Sequence, residues 1–494
     1  MICTVRTGTL RGIDVVPVDV EIDVGAGLPS FAIVGLPDAA VQEARERVRS
    51  AVRASGFDLP NARIVVNLAP GPLKKHGTGF DLPIAIGLLM ATRQIREDAF
   101  RDVTAVGELS LDGSVRPVPG LLAHAVAASR SRIPLLSARS GHPYPAPDGV
   151  TFLGIDTLGE LRNGLPHPHS RTNQVATRPT YSEDFAEVLG QEVAVRALLV
   201  SATGGHNVLM IGPPGSGKTM LARRLPSILP ALSPDEAIET GLLHSVAGLT
   251  DSNATGDIRP FRAPHHASSI AGLIGGGSPP RPGEVSLAHN GVLFLDEMPE
   301  FGPAALQSLR QPIEDRRVTI VRADGRVVYP AAFTLIGAAN PCPCGFKGDP
   351  DRRCSCSQGH VERYRSRIGG PLMDRIDLVC EVWRPPPGLL VHGRQAESSA
   401  SLRMSVDAAR ERIAHRGLGA TASLSGAGLL SACSMPAVVL RDLELIAQHH
   451  HLSGRGITRL LRVARTLADL EGSHSVRSDD LVEAIGYRST GSGS

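Results

Sequence analysis

Apolar residues recur at two spacings along this chain, and the spacing switches several times. Val15–Val24 alternates apolar and polar positions, the period of a strand with one buried face. From Ala39 to Ser55 the period lengthens, and Ala40, Val41, Ala44, Val48, Ala51 and Val52 share one side of a helix. Arg63–Leu68 and Val103–Leu109 read as strands. Leu121–Ala128 reads as a helix, as does Phe80–Met90, which is apolar on most sides and therefore buried. This mixture over residues 1–165 predicts an α+β unit. Residues 166–182 carry Pro, His, Ser, Thr, Arg and Asn without an apolar period and read as a linker.

Beyond the linker the pattern is α/β. A helix over Glu192–Ser201 precedes three short apolar runs, Asn207–Ile211, Gly291–Leu295 and Phe333–Ala339. Continuous apolar runs of this length are those of parallel strands covered on both faces. Between the last two runs, alternating stretches flank Ala323-Asp324-Gly325-Arg326 and predict a hairpin. These elements define a core over 183–384. Pro385-Pro386-Pro387-Gly388 breaks the chain, and 385–399 reads as a second linker. Residues 400–490 are helical in pattern: Leu402–Ala414, Pro436–His449, Ser453–Leu470 and Ser478–Tyr487. The tail, Arg488–Ser494, is expected to be disordered.

With 494 residues the chain is long enough for about two to four domains. Its 42% hydrophobic and 20% charged residues are those of a globular protein. A net charge of +2 neither requires nor excludes nucleic acid, so any basic footprint is local. The start lacks a charged region followed by an apolar one, and the longest apolar run is too short to span a bilayer. A cytoplasmic chain without a membrane partner is expected. In that compartment seven cysteines argue for metal or free thiols.

The chemistry concentrates in the core. Gly212-Pro213-Pro214-Gly215-Ser216-Gly217-Lys218-Thr219 follows a strand and opens a helix. In that setting backbone N–H groups converge on phosphate, Lys218 adds a point charge, and the Thr219 hydroxyl can ligate Mg²⁺. A glycine-rich turn is the bland alternative. About 77 residues later the run 291–295 ends in Asp296-Glu297. Asp296 suits the Mg²⁺ shell and Glu297 suits polarisation of an attacking water. Asn340, ending the next strand, suits orientation of that water. ATP and Mg²⁺ are the cofactors these residues predict. The hairpin carries Arg316, Arg317, Arg322 and Arg326, which could grip DNA phosphates or stand as a solvated face. Cys342, Cys344, Cys354 and Cys356 are spaced C-x-C-x₉-C-x-C. Structural zinc usually uses C-x₂₋₄-C, so zinc and reduced thiols both remain open. Lys74-Lys75-His76 reads as a solvated charge cluster, with phosphate contact as the sharper alternative. His265-His266 lacks a ligand partner in sequence and reads as structural or nucleic-acid-facing.

Several stretches carry resemblances. Val106–Gly120 resembles the Lon-protease-like fold, yet its glycine turn, His76–Asp81, has no serine and Leu122 stands at the lysine position. A Ser–Lys dyad is therefore absent, and a non-proteolytic scaffold or substrate-contacting module is implied. Phe185–Gln191 resembles the AAA+ segment that lies over adenine. Gly27–Phe31, Val34–Asp38, Phe261–His266, Ala339–Gly345 and Asp374–Asp377 together resemble the ComM/YifB family of magnesium-chelatase-like AAA+ proteins, over nearly the whole chain. The resemblance implies an AAA+ P-loop core, a Lon-like amino-terminal domain and a carboxy-terminal helical lid. It also implies a hexameric ATPase that promotes branch migration on DNA. Arg375 would be an arginine finger reaching a neighbouring subunit, the hairpin would enter a ring pore, and Arg455, or else Arg459, would be a nucleotide-contacting sensor. Arg363, Arg365 and Arg367 would also face DNA. A magnesium-chelatase-like ATPase remodelling a protein partner is the second reading.

Overall fold

The alternating stretch at Val15–Val24 is the centre of a long strand whose partner is the chain's own beginning. In the computed structural model, which describes residues 2–139, 147–168, 183–249, 258–322, 325–392 and 396–488, β1 (Ile2–Arg11) and β2 (Asp14–Gly25) form an antiparallel ladder. Thr residues and one buried cysteine interrupt the apolar run of β1, which hides it from a periodicity reading. β3 (Ser30–Val34), β4 (Arg63–Ala69), β5 (Thr104–Ala105), β6 (Leu135–Ala138) and β7 (Phe152–Ile155) complete a seven-stranded sheet in the order β3-β4-β2-β1-β5-β6-β7. The helices α1 (Ala39–Ala54) and α2 (Asp81–Ala91) cover one face. Every residue of α2 is buried, as its all-round apolarity requires.

The expected strand Val103–Leu109 is two strands. After β5 the chain turns at Val106-Gly107, and Glu108–Leu109 pairs instead with Val115–Arg116. A side chain on Gly107 would meet Val115 at 3.0 Å and Leu82 at 3.2 Å, so the departure needs glycine. Lys75 also departs from expectation. It is fully buried, and its ammonium donates to Gly35 O at 2.8 Å and to Pro70 O. Two inward-facing carbonyls, and not solvent, satisfy it.

Helix α3 (Leu121–Ser131) joins this unit to the next. Leu122 and Ala123 pack on Leu242 of α5 (Pro234–Ala247, numbered after α4, Lys218–Ile228). Gly120 N–H donates to Ser245 O at 2.7 Å across the same junction. Full burial of leucines here contributes roughly 1.5–3 kcal/mol each. Residues 166–168 have no regular structure, and the rest of the predicted linker lies outside the described residues.

The second unit is a five-stranded, wholly parallel sheet of β8 (Val208–Ile211), β9 (Phe261–Arg262), β10 (Val292–Leu295), β13 (Thr334–Ala339) and β14 (Leu378–Glu381). The hairpin strands β11 (Arg317–Arg322) and β12 (Gly325–Pro330) precede β13 in the chain and stand apart from the sheet. The order is β9-β10-β13-β8-β14, which puts β13 between β8 and β10. One face shares a continuous core with the carboxy-terminal helices Ser399–His415, Gly426–Cys433, Ala437–His449, Gly454–Leu470 and Ser478–Gly486. The helical region is thus built onto the sheet and not hung from it. The second linker is partly helical: Pro387 opens a turn over Pro387–His392, since proline at a helix start sacrifices no hydrogen bond. Of the expected tail, Arg488 is ordered through Gly456 O at 2.8 Å, and 489–494 lie outside the described residues.

Candidate active site

Parallel strands bring their carboxyl ends to one edge, and register decides which residues meet there. Ile211 of β8 pairs with Ala339 of β13, and Leu295 of β10 pairs with Gly337. The residues that follow these strands are Gly212, Asp296 and Asn340. Gly215 and Gly217 take positive φ, +76° and +94°, which turns the loop into the start of α4. Lys218 is buried and its Nζ lies within the loop's curve. It donates to Gly212 O at 2.7 Å and Pro213 O at 2.9 Å, with Asn340 Oδ1 at 3.4 Å. The Thr219 hydroxyl donates to Asp296 Oδ2 at 2.8 Å, and Glu297 N–H donates to Asp296 Oδ1 at 3.0 Å. Thr219 and Asp296 are the pair that fits Mg²⁺, two oxygen donors at hydrogen-bond distance. Glu297 sits in the left-handed region, φ +49°, which turns its carboxylate away from the strand and leaves it about half exposed.

Burial pulls the Lys218 ammonium down to about 8, against the opposing pull of Asp296 and Glu297. The charged form is the one that attracts phosphate. Apparent ATP affinity is therefore expected to weaken as pH rises through about 8. Titration with a fluorescent ATP analogue across that range checks it; a flat profile would show that Lys218 keeps its charge or makes no contact.

Four further residues neighbour this edge; Arg384 and Tyr364 were not legible in sequence, whereas Gln191 and His266 fall in stretches the sequence had singled out. Gln191 Nε2 donates to Ser216 O at 3.2 Å and Trp383 O at 2.5 Å, tying the 185–191 segment to the loop. Arg384 donates to Pro214 O at 2.9 Å. Tyr364, on the helix Gln358–Ser366, packs beside the Asn340 backbone. His266 Nδ1 lies 3.5 Å from Glu297 Oε2, and its ring packs on His265 and edgewise on Phe301. The His-His pair thus has an acidic neighbour after all, but one supplied by tertiary contact.

The arginines assigned to nucleotide do not join the loop in their own chain. Arg375, Arg455 and Arg459 gather at the opposite edge, where Asn207 precedes β8, around a cavity of about 620 Å³. Arg459 is committed to Met373 O at 3.0 Å, Ile376 O at 3.1 Å and Asp374 at 3.3 Å. Arg375 pairs with Glu314 and Pro371 O, and its buried Nε has no partner among the described residues. Arg455 stands exposed in the first turn of its helix.

The hairpin arginines also divide. Arg316 is not on the hairpin: it caps the helix Arg310–Asp315 at φ +53° and lines the arginine-rich cavity. Arg317, Arg322 and Arg326 are exposed on the strands. The hairpin does not project freely, because the β1–β2 turn packs along it: a side chain on Gly12 would meet Val327 at 3.1 Å, and one on Gly325, at the tip, would meet Arg11 at 2.9 Å. Arg363 and Arg367 are exposed on the helix Gln358–Ser366 and at its end, Arg367 pairing with Glu300 at 3.1 Å, while Arg365 leans toward Pro341 O. The four cysteine sulfurs at 342, 344, 354 and 356 lie within 4.8 Å of one another beside Asn340. Among the described residues no helix is long and apolar enough to cross a membrane.

A P-loop, a strand-end acidic pair and a parallel sheet extended by helices define a nucleotide-site architecture, and comparison places it. Residues 184–388 match the family described as "Magnesium chelatase, subunit ChlI", residues 20–136 "Subunit ChlI of Mg-chelatase", and residues 396–488 "Magnesium chelatase, subunit ChlI C-terminal". The chain is 41% identical to YifB of Salmonella typhimurium over 98% of its length and 96% of that protein. It is 39% identical to the competence protein ComM of Haemophilus influenzae, covering 97% and 95%. A shorter match, 28% identical over 41% of the chain and half of its relative, is to RuvB of Paenarthrobacter aurescens, a subunit of a Holliday junction branch migration complex. The chain belongs to the magnesium-chelatase-like AAA+ family that includes YifB and ComM.

Proposed function

We propose that this chain hydrolyses ATP as a ring-forming motor acting on DNA, with branch migration as its activity. The observation that carries the ATPase part is the convergence of Lys218, Thr219, Asp296, Glu297 and Asn340 at one sheet edge. Lys218 and the loop amides bind the phosphates of the substrate. Thr219 and Asp296 would hold Mg²⁺, which neutralises charge on the phosphate oxygens when bound. Glu297, the least restrained carboxylate there, takes up a proton from water, and Asn340 orients that water. The separation of Arg375, Arg455 and Arg459 from the loop favours a ring in which an arginine at one edge serves the nucleotide of the next copy. A hexamer is the assembly proposed.

DNA is favoured by Arg317, Arg322 and Arg326, exposed on one hairpin, and by the branch-migration name carried by RuvB. The amino-terminal unit is proposed to be a Lon-like scaffold without proteolytic chemistry. Its Leu122, at the position the resemblance gives to the lysine base, packs on Leu242, and the Thr78 hydroxyl in the glycine turn donates to Glu108. ATP turnover is expected to rise several-fold with a branched DNA junction at fixed moderate salt. That stimulation should vanish in Arg317→Ala/Arg322→Ala/Arg326→Ala while basal turnover stays. Turnover indifferent to every DNA tested would instead favour remodelling of a protein partner.

A further inference from the structure

We propose that Cys342, Cys344, Cys354 and Cys356 hold one zinc ion as thiolates, and that this knot clamps the phosphate loop. The clamp rests on the ATPase reading, whereas the metal site is tested without nucleotide.

The geometry is that of a single ion. Cys342 Sγ lies 3.4 Å from Cys344 Sγ and 3.6 Å from Cys354 Sγ, and Cys344 and Cys354 are 3.6 Å apart. All four sulfurs fall within 4.8 Å of one another. Tetrahedral zinc with bonds of about 2.3 Å sets its sulfurs about 3.8 Å apart. A disulfide needs about 2.05 Å, and all seven cysteines are free. Four sulfurs this close around one centre leave no room for an iron–sulfur cluster, whose ligands spread over several metal and sulfide atoms. An all-thiolate tetrahedral set is one of those that structural zinc takes. Two backbone amides support it: Cys344 N–H donates to Cys356 Sγ and Cys356 N–H donates to Cys354 Sγ, each at 3.4 Å. Such outer-shell donors fix ligand sulfurs in place. The short C-x-C spacing works because a tight turn, Gly345 N–H to Cys342 O at 2.9 Å, folds the first pair back on itself.

The segment also needs a staple. Between β13 and the helix Gln358–Ser366 the chain has no regular structure, and within 342–357 Cys342 is the one buried hydrophobic residue. Ordering such a stretch without a core is entropically unfavourable, and metal binding supplies the compensation. Each thiol surrenders its proton to solvent as it ligates, with no change in oxidation state.

What the knot holds is the nucleotide edge. Cys342 lies two residues after Asn340, which faces Lys218. Gly345 at φ +84° lies against Pro214, where a side chain would meet the ring at 2.6 Å. The Phe346 ring lies under Arg384, which donates to Pro214 O and pairs with Asp349 of the same segment. Loss of the ion is therefore expected to loosen both the loop rim and Asn340.

The test is metal analysis of the full chain purified without chelator. About one zinc per chain is expected, with four thiols unreactive in the native protein until a mercurial displaces the ion. Cobalt substitution should give thiolate-to-cobalt charge-transfer absorption. Cys354→Ser/Cys356→Ser should lose both signals and weaken binding of a fluorescent ATP analogue several-fold, while Cys3→Ala keeps both. No zinc together with no cobalt band overturns the site. Zinc present, with nucleotide binding unchanged in the double variant, overturns the clamp. If that variant is insoluble, mercurial displacement in wild type, followed by nucleotide titration with Mg²⁺ restored, decides the clamp.

Discussion

Glu297→Gln is expected to keep ATP bound and to lower turnover by about 100-fold or more, the scale of a lost general base. The substitution preserves shape, so the left-handed backbone at 297 and the N–H bond to Asp296 are retained. It removes the carboxylate that can take a proton, while the Thr219–Asp296 pair and Lys218 are untouched. Single-turnover hydrolysis and nucleotide binding, measured side by side, separate the two effects. Turnover near wild type would move the base elsewhere, and His266, 3.5 Å from Glu297, would be the next residue to examine.

Arg375→Ala is expected to lower turnover by about 10³-fold, the low end for an arginine that stabilises phosphoryl-transfer charge. Arg375 lies at the opposite sheet edge from Lys218, so it cannot act on the nucleotide of its own chain without a large rearrangement. The decisive experiment mixes two inactive variants. Lys218→Ala lacks phosphate binding and Arg375→Ala lacks the finger. In a ring some interfaces then pair an intact loop with an intact arginine, and activity returns. Two dead proteins that stay dead when mixed, although they co-assemble by light scattering, would place Arg375 in its structural pair with Glu314.

Much of the candidate active site was legible because its signals are local. A phosphate loop needs its glycines, lysine and threonine consecutively, and a strand-end carboxylate is announced by the apolar run before it. The periodicity of α1, the all-round apolarity of α2 and the pattern of four of the five carboxy-terminal helices were equally direct, while Gly426–Cys433 was missed. Strands β1, β3, β6 and β7 were not, because short or mixed segments owe their strand state to partners far along the chain. The single strand expected over 103–109 failed for a related reason: its second half finds a different partner from its first.

By itself the sequence determined the chemistry: which residues can hold phosphate and magnesium, which carboxylates follow a buried strand, and which sulfurs come in pairs. Tertiary structure alone decided which of these meet. Parallel register sets Lys218, Asp296 and Asn340 at one edge, because strands of one direction end together. The same directionality sends Arg375, Arg455 and Arg459 to the other edge, since Arg375 precedes β14 and the other two stand in the first two turns of a helix packed on the sheet. Burial, which no local pattern around Lys74-Lys75-His76 revealed, turned Lys75 from a surface charge into a buried tie between two backbone carbonyls. Contact between distant segments is a property of the whole packed chain, and there proximity, not spacing, settles which groups act together.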